Sequence, residues 1–236
     1  MSVPVFGMSE FDFRNKIRKT TRALIPVGSL EQHGEHLPVS TDSIIAEHIA
    51  GLVAARIGAF VLPAITYGVS FEHMPMFNVS VRNSTLSTLI CDACTSLAEN
   101  QIREIVILNG HHGNMGALQY IAQELSGKLP RDASVHTFHY WHVLDREFDH
   151  AGEVETSLLL AIAPKLVDMS KAAPNSRRLS KSKAAYSTIT NAPGSFPKIT
   201  GNGVWGDPRK ASAKKGKKWM KDIVARLSDA ITELDK

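Results

Sequence analysis

The chain has 236 residues, of which 43% are hydrophobic and 21% charged, and carries a net charge of +4. Such a length suits one closed core spanning 1–236, and the balance excludes a disordered, fibrous or disulfide-framework protein. No apolar run approaches the ~20 residues that cross a bilayer, and the first residues lack a charged start and a cleavage site, so a cytoplasmic protein with no membrane partner is expected.

In chain order, Arg22 to Val27 reads as a buried strand, followed by a loop bearing glutamate and histidines. Thr41 to Ile57 reads as a helix, with Asp42 at its start and Ile44, Ile45, Ile49, Leu52 and Val53 as its apolar stripe. Phe60 to Ile65 is a second strand and Ser84 to Asn100 a second helix. The latter holds Cys91 and Cys94 in Cys-x-x-Cys spacing. Without a second pair they read as two small helix residues, not a redox or zinc site. Glu104 to Leu108 is a strand that ends at Asn-Gly-His-His-Gly-Asn, and Met115 to Leu125 is helical. Ser134 to Tyr140 is a strand and Glu153 to Ala163 a helix. Pro174 to Pro208, rich in Ser, Lys, Pro and Gly, reads as a long functional loop, and Ala211 to Leu234 as a closing helix.

Strand, polar loop and helix in repeated order predict an α/β fold: three layers, a mostly parallel sheet with helices on both faces. Ligands of such sheets bind outside the carboxyl ends of the strands, where every polar cluster of this chain falls. The basic excess lies late, in Arg177, Arg178, Lys181 and Lys183 and again from Arg209 to Lys221. No aromatic platform is interleaved, so solvated lysine-rich faces are expected and nucleic acid is not an expected partner.

Three clusters carry chemistry. Glu31-Gln32-His33 precedes Thr41-Asp42. Glutamate and histidine two apart in an extended segment point the same way, and Asp42 at a helix start can turn back over the strand end, where it could bridge two cations. A polar loop with Asp42 as a simple helix cap is the plain alternative. The second cluster is Asn109-Gly110-His111-His112-Gly113-Asn114, whose glycines allow a tight strand-to-helix turn. The third is Asp149-His150-Ala151-Gly152-Glu153-Val154-Glu155, where the helix dipole alone could account for one of the glutamates.

Taken together, these motifs resemble the creatininase family of metal-dependent amidohydrolases. The matches are Gly-Ser-Leu-Glu-Gln-His-Gly-Glu-His-Leu-Pro with Thr-Asp, Asn-Gly-His-His-Gly-Asn, His-Ala-Gly-Glu-Val-Glu-Thr-Ser and Gly-Val-Trp-Gly-Asp-Pro, in family order from about Arg22 to Lys218. The resemblance implies a creatininase-like fold and two divalent ions (Zn, Fe or Mn). Glu31, Asp42 and His111 would hold one ion; His33, Asp42 and a further carboxylate would hold the other. Creatinine-hydrolysing members resemble Asn-Gly-His-Tyr-Glu-Asn in the second motif, and that Glu is a ligand. Here His112 and Gly113 stand in its place, so the missing carboxylate is expected from Glu155, or alternatively Glu153. His150 matches the family's catalytic histidine, and substrate contacts are expected from Ser70, His112 and Trp205.

The implied reaction is hydrolysis of a non-peptide C–N bond in a small-molecule formamide, amide or lactam. The altered second motif favours a formylamino-pyrimidine ribonucleotide deformylase of riboflavin or deazaflavin synthesis over creatinine hydrolysis. The basic group at Arg177 to Lys183 offers a place for a substrate phosphate. A non-catalytic metal-binding protein is the rival from another class, but structural zinc sites are closed and cysteine-rich. The resemblance also implies a homo-oligomer, in many members a hexamer.

Overall fold

A computed structural model describes residues 3–147, 149–177 and 192–234. Its centre is a sheet of five parallel strands: β1 (Val3–Pro4), β2 (Arg22–Val27), β3 (Phe60–Val61), β4 (Glu104–Asn109) and β5 (Ser134–His139), in the order β1-β3-β2-β4-β5. Pairing is flush across the middle. Arg22 faces Glu104 and Glu104 faces Ser134 at one end, while Val27 faces Asn109 and Asn109 faces His139 at the other. The loops after β2, β4 and β5 therefore leave the sheet side by side, which is what assembles a site from segments distant in sequence.

Period-two alternation sends successive side chains to opposite faces. Ala23, Ile25, Ile105 and Ile107 bury on one face, with helix α3 (Asn83–Glu99). Leu24, Val106 and Leu108 bury on the other, with α2 (Thr41–Ile57) and α6 (Glu153–Ile162). The long C-terminal helix, Ala213–Glu233, joins that second layer through Trp219, Ile223, Leu227 and Ile231, and leaves Lys214, Lys217, Lys218 and Lys221 in solvent. The three-layer expectation holds, and the late lysines are a solvated face. No helix among the described residues is long and apolar enough to cross a membrane.

Local departures have local causes. The strand expected over Phe60 to Ile65 stops at Val61, because Pro63 lacks the N–H that pairing needs, and Ile65 rejoins only as an isolated bridge to Val27. The helix expected over Met115 to Leu125 is two short ones, α4 (Met115–Leu118) and α5 (Ile121–Glu124), broken where Tyr120 takes φ −114° and ψ 10°. A helix absent from the expected set, α1 (Glu10–Ile17), starts at a capping box in which Ser9 and Asp12 each accept the other's backbone N–H. Within the expected loop Pro174 to Pro208, Ser195–Thr200 forms a further short helix, α7, which makes the C-terminal helix α8. Arg177 donates to the Lys198 carbonyl at 2.6 Å, whereas Arg178, Lys181 and Lys183 lie outside the described residues. Cys94 is buried and Cys91 half-buried, both unbridged.

Candidate metal centre

The turn after β2 places Glu31 and His33 at the carboxyl edge of the sheet, both fully buried. The two histidines facing Asp42 are fixed in complementary tautomers. Nδ1 of His33 lies 3.0 Å from the Glu31 carbonyl, which can only accept, so Nδ1 carries a proton and, in the neutral ring, Nε2 is bare. His111 is turned the other way: Nε2 donates to the Val69 carbonyl at 2.9 Å, which leaves Nδ1 bare. The bare Nε2 of His33 stands 3.1 Å from Asp42 Oδ1, and the bare Nδ1 of His111 stands 3.1 Å from Asp42 Oδ2. A lone pair facing a carboxylate oxygen at that distance needs a cation or a proton between them.

Buried oxygens without donors make the same demand. Glu31 Oε1 and Asp42 Oδ2 have no hydrogen-bond partner, and an imidazole nitrogen lies 3.1 Å from each. Three overlapping sets of potential ligands result: Glu31, Asp42 and His111; His33, Asp42 and Glu155; and Glu31, His33 and His150. Histidine with carboxylate suits zinc, manganese or iron. Without a cation, burial would lower the basicity of His33, but the Asp42 carboxylate overrides it and pushes His33 up to about 10. For His111, the Glu31 and Asp42 carboxylates likewise overcome burial and raise it well above the ordinary value.

The two glutamates of α6 part company. Glu155 is buried, accepts the Ala151 N–H at 2.6 Å and stands 3.8 Å from His33 Nε2. Burial first, against the opposing pull of His33, pushes its carboxyl up to about 8. Glu153 faces outward, paired with Lys215 at 2.6 Å, and belongs to no ligand set among the described residues. At the first turn of α6 the Glu153 side chain points to the C-terminal helix.

His150 caps the site from the segment before α6. Its backbone exchanges two hydrogen bonds with Trp205, at 3.1 and 2.8 Å, so Gly-Val-Trp-Gly-Asp-Pro is the strip that holds it. Its ring lies over His33, and its Nε2 is 3.1 Å from the Gln32 carbonyl. Burial lowers its pKa well below the ordinary histidine range. The second motif is fastened by its asparagines: Asn109 accepts the His111 N–H at 3.0 Å, and Asn114 donates to the Gly28 carbonyl at 2.9 Å.

A pocket of about 730 Å³, its open mouth included, lies over this edge. Tyr140, Trp141, Leu144 and Phe196 form much of its wall. His112 lines it, and burial lowers its imidazole to about 4. Ser70 sits beneath the pocket instead, its hydroxyl 2.7 Å from that of Ser29, which in turn donates to Glu31 at 3.2 Å. Trp205 stacks behind Phe196, with ring centroids 6.1 Å apart. Sequence reasoning missed Glu72 and His73. His73 Nε2 is 3.1 Å from Glu31 Oε1, and its Nδ1 takes the Gln32 amide at 2.8 Å. The available signal was a bare Glu-His pair in a loop with no helix period around it.

The family model described as creatinine amidohydrolase matches residues 7–231. The chain belongs to the creatininase family. It is 28% identical to the creatinine amidohydrolase of Pseudomonas putida, over 89% of this chain and 88% of that one. To the mycofactocin precursor peptide peptidase of Mycolicibacterium smegmatis it is 34% identical, over 88% and 83%. A formylamino-ribosylaminopyrimidine monophosphate deformylase of Methanobrevibacter ruminantium is 31% identical over a shorter stretch, 59% of this chain and 58% of that one. A solved manganese creatininase superposes with a TM-score of 0.82 at 26% identity, covering 99% of this chain and 98% of the other. Creatininase-family members are hydrolases, and this fold is theirs; the buried His, Glu and Asp clusters of this chain are able to hold metal.

Proposed function

We propose that this member is an amidohydrolase with a binuclear centre. Glu31, Asp42 and His111 hold one cation, His33, Asp42 and Glu155 the second, and Asp42 is shared. The observation that carries the reading is Asp42 set between an imidazole nitrogen of His33 and one of His111, one for each of its oxygens. When bound, two such cations polarise a carbonyl oxygen and make a nucleophilic hydroxide available near neutral pH.

The chain's own residues do the rest. Phe196 and Trp141 line the pocket over the sheet edge and offer the apolar surface against which the substrate lies. Gln32 locks the His150 ring from its carbonyl side. His150, neutral when buried, takes up a proton and delivers it to the departing nitrogen. With Nε2 at the Gln32 carbonyl, Nδ1 is the nitrogen open to that proton, and it faces the site 3.7 Å from the Glu31 carboxylate.

The substrate proposed first is a small formamide, of the formylamino-pyrimidine ribonucleotide kind, with creatinine as the alternative. The near full-length similarity to a precursor-peptide peptidase supports a second reading, cleavage of a peptide C–N bond. Metal-loaded protein assayed side by side on the formylamino nucleotide, creatinine and a short peptide, with metal content measured on the same sample, separates these. Binding of two ions with turnover of none of the three would leave a non-catalytic metal protein and overturn the proposal.

A further inference from the structure

The pocket over the sheet edge has a buried floor and an open mouth, and one strongly basic side chain stands at that mouth. Arg146 is the only lysine or arginine among the described residues that line the pocket. Its side chain is 45% exposed, whereas that of Asp42 at the floor is 1% exposed. A molecule long enough to reach from the floor to solvent has Arg146 beside its outer end.

The segment between β5 and α6 carries Arg146, together with Trp141 and Leu144 of the same wall. Its guanidinium carbon lies over the Trp219 ring, 4.5 Å from the ring centre. Trp219 is itself buried in the second helical layer, so this platform is rigid. An aromatic face holds the charge in place and consumes no acceptor. The nearest carboxylate oxygen among the described residues is Glu153 Oε2, at 3.7 Å, which is too long for a hydrogen bond. Glu153 has a closer counter-ion, Lys215, whose Nζ is 2.6 Å from its other oxygen. The Arg146 fork therefore still has N–H groups to give to a nearer acceptor.

The surroundings decide what that acceptor is. Glu31, Asp42 and Glu155 at the floor belong to the proposed centre, and Asp149 on the wall turns its Oδ2 to the Val154 N–H at 2.7 Å. An anionic group at the mouth is repelled by the carboxylates of the wall and attracted by Arg146, so its favourable place is against the guanidinium. The planar fork matches two oxygens of a phosphate or a carboxylate at once.

We propose that Arg146 receives the anionic end of the substrate, a phosphate or a carboxylate, at the mouth of the pocket. The inference rests on the hydrolase reading for what lies at the floor and deepens it. A formylamino nucleotide carries a phosphate and a peptide a terminal carboxylate, whereas creatinine carries neither. The test does not depend on turnover. Two pairs of probes are titrated calorimetrically into zinc-loaded protein at low salt: adenosine 5′-monophosphate against adenosine, and 3-phenylpropionate against 3-phenylpropanol. Wild type binds the anionic member of one pair about tenfold more tightly than the neutral member, the difference expected of a charge-assisted hydrogen bond. Arg146→Gln brings that pair to within about twofold while zinc stays at the wild-type stoichiometry, and Arg146→Lys, which keeps the charge without the fork, gives an intermediate preference. A preference in the first pair identifies a phosphate, and in the second a carboxylate. No preference in either pair overturns the proposal. So does a preference that survives in Arg146→Gln, since the anion would then sit on zinc. Failure of every amide to turn over, with the Arg146-dependent preference intact, would remove the hydrolase reading and leave the anion subsite; turnover without that dependence would do the reverse.

Discussion

Asp42 Oδ1 stands 3.1 Å from Nε2 of His33, whose other ring nitrogen is held at the Glu31 carbonyl. His111 repeats the relationship on the other oxygen. If Asp42 bridges two cations, Asp42→Ala removes a ligand from both at once, and metal content falls from two ions per chain to none. Glu31→Ala or His33→Ala, each touching one ion, lowers it by about half. Elemental analysis after gel filtration reads the difference. A retained full complement in Asp42→Ala would sink the bridging role.

Chelation tests the same centre through stability. A ligand that binds only the folded chain stabilises it by about 2.7 kcal/mol at a hundred times its Kd. For a chain of this size that corresponds to a fall in Tm of roughly 5–10 °C when the ions are stripped. Restoring zinc or manganese restores Tm. An unchanged melting curve after verified removal would mean that the buried acids and imidazoles are satisfied by protons alone.

Glu155 and Glu153 sit two residues apart on α6 and should behave oppositely. Glu155→Ala takes a ligand from the second set, so one ion is lost and hydrolysis with it. Glu153→Ala breaks an exposed pair with Lys215, costs under about 1 kcal/mol and leaves both ions in place. Elemental analysis and chemical denaturation of the two variants settle the assignment, and equal metal loss in both would refute it.

Much of this was legible before the structure. The alternation Leu24 and Ile25, Val106 and Ile107 marks strands covered on both faces, and the polar clusters fall where such strands end. Glu31, His33, Asp42, His111 and Glu155 converge because β2, β4 and β5 pair flush. What stayed hidden depends on contacts that no local period encodes. Glu72 and His73 sit in a short turn whose direction is set by its packing under Phe196 and against Gln32. The outward turn of Glu153 is set by Lys215, more than sixty residues away in sequence. The capping box at Ser9 and Asp12 was readable and would have announced α1.

His150 is expected to matter for rate and not for metal. Its ring fills the space between His33, His73 and Phe196, while its Nε2 is held at the Gln32 carbonyl. His150→Ala should keep both ions and lower kcat by about 10²–10⁴, the usual worth of a positioned proton donor. A loss of metal equal to the loss of rate would recast His150 as a ligand through the set it shares with Glu31 and His33.

The last prediction concerns how tightly the second helical layer is packed, and pairs one substitution at two sites. Gly51, inside α2, has nothing within 4 Å of an added Cβ. Gly51→Ala therefore gains helix propensity without a clash and should stabilise the fold by about 1 kcal/mol. Gly216, in the C-terminal helix, is buried where that helix crosses α6; a Cβ there would strike the Ser157 carbonyl and come within 3.0 Å of Ala161. The same gain in propensity is available, but the methyl would have to push two packed helices apart, an overpacking cost of about 1–3 kcal/mol. Denaturant midpoints should thus move in opposite directions, upward for Gly51→Ala and downward for Gly216→Ala. A rise in both would mean that the α6 contact yields freely and that the layer under the site is softer than its geometry implies.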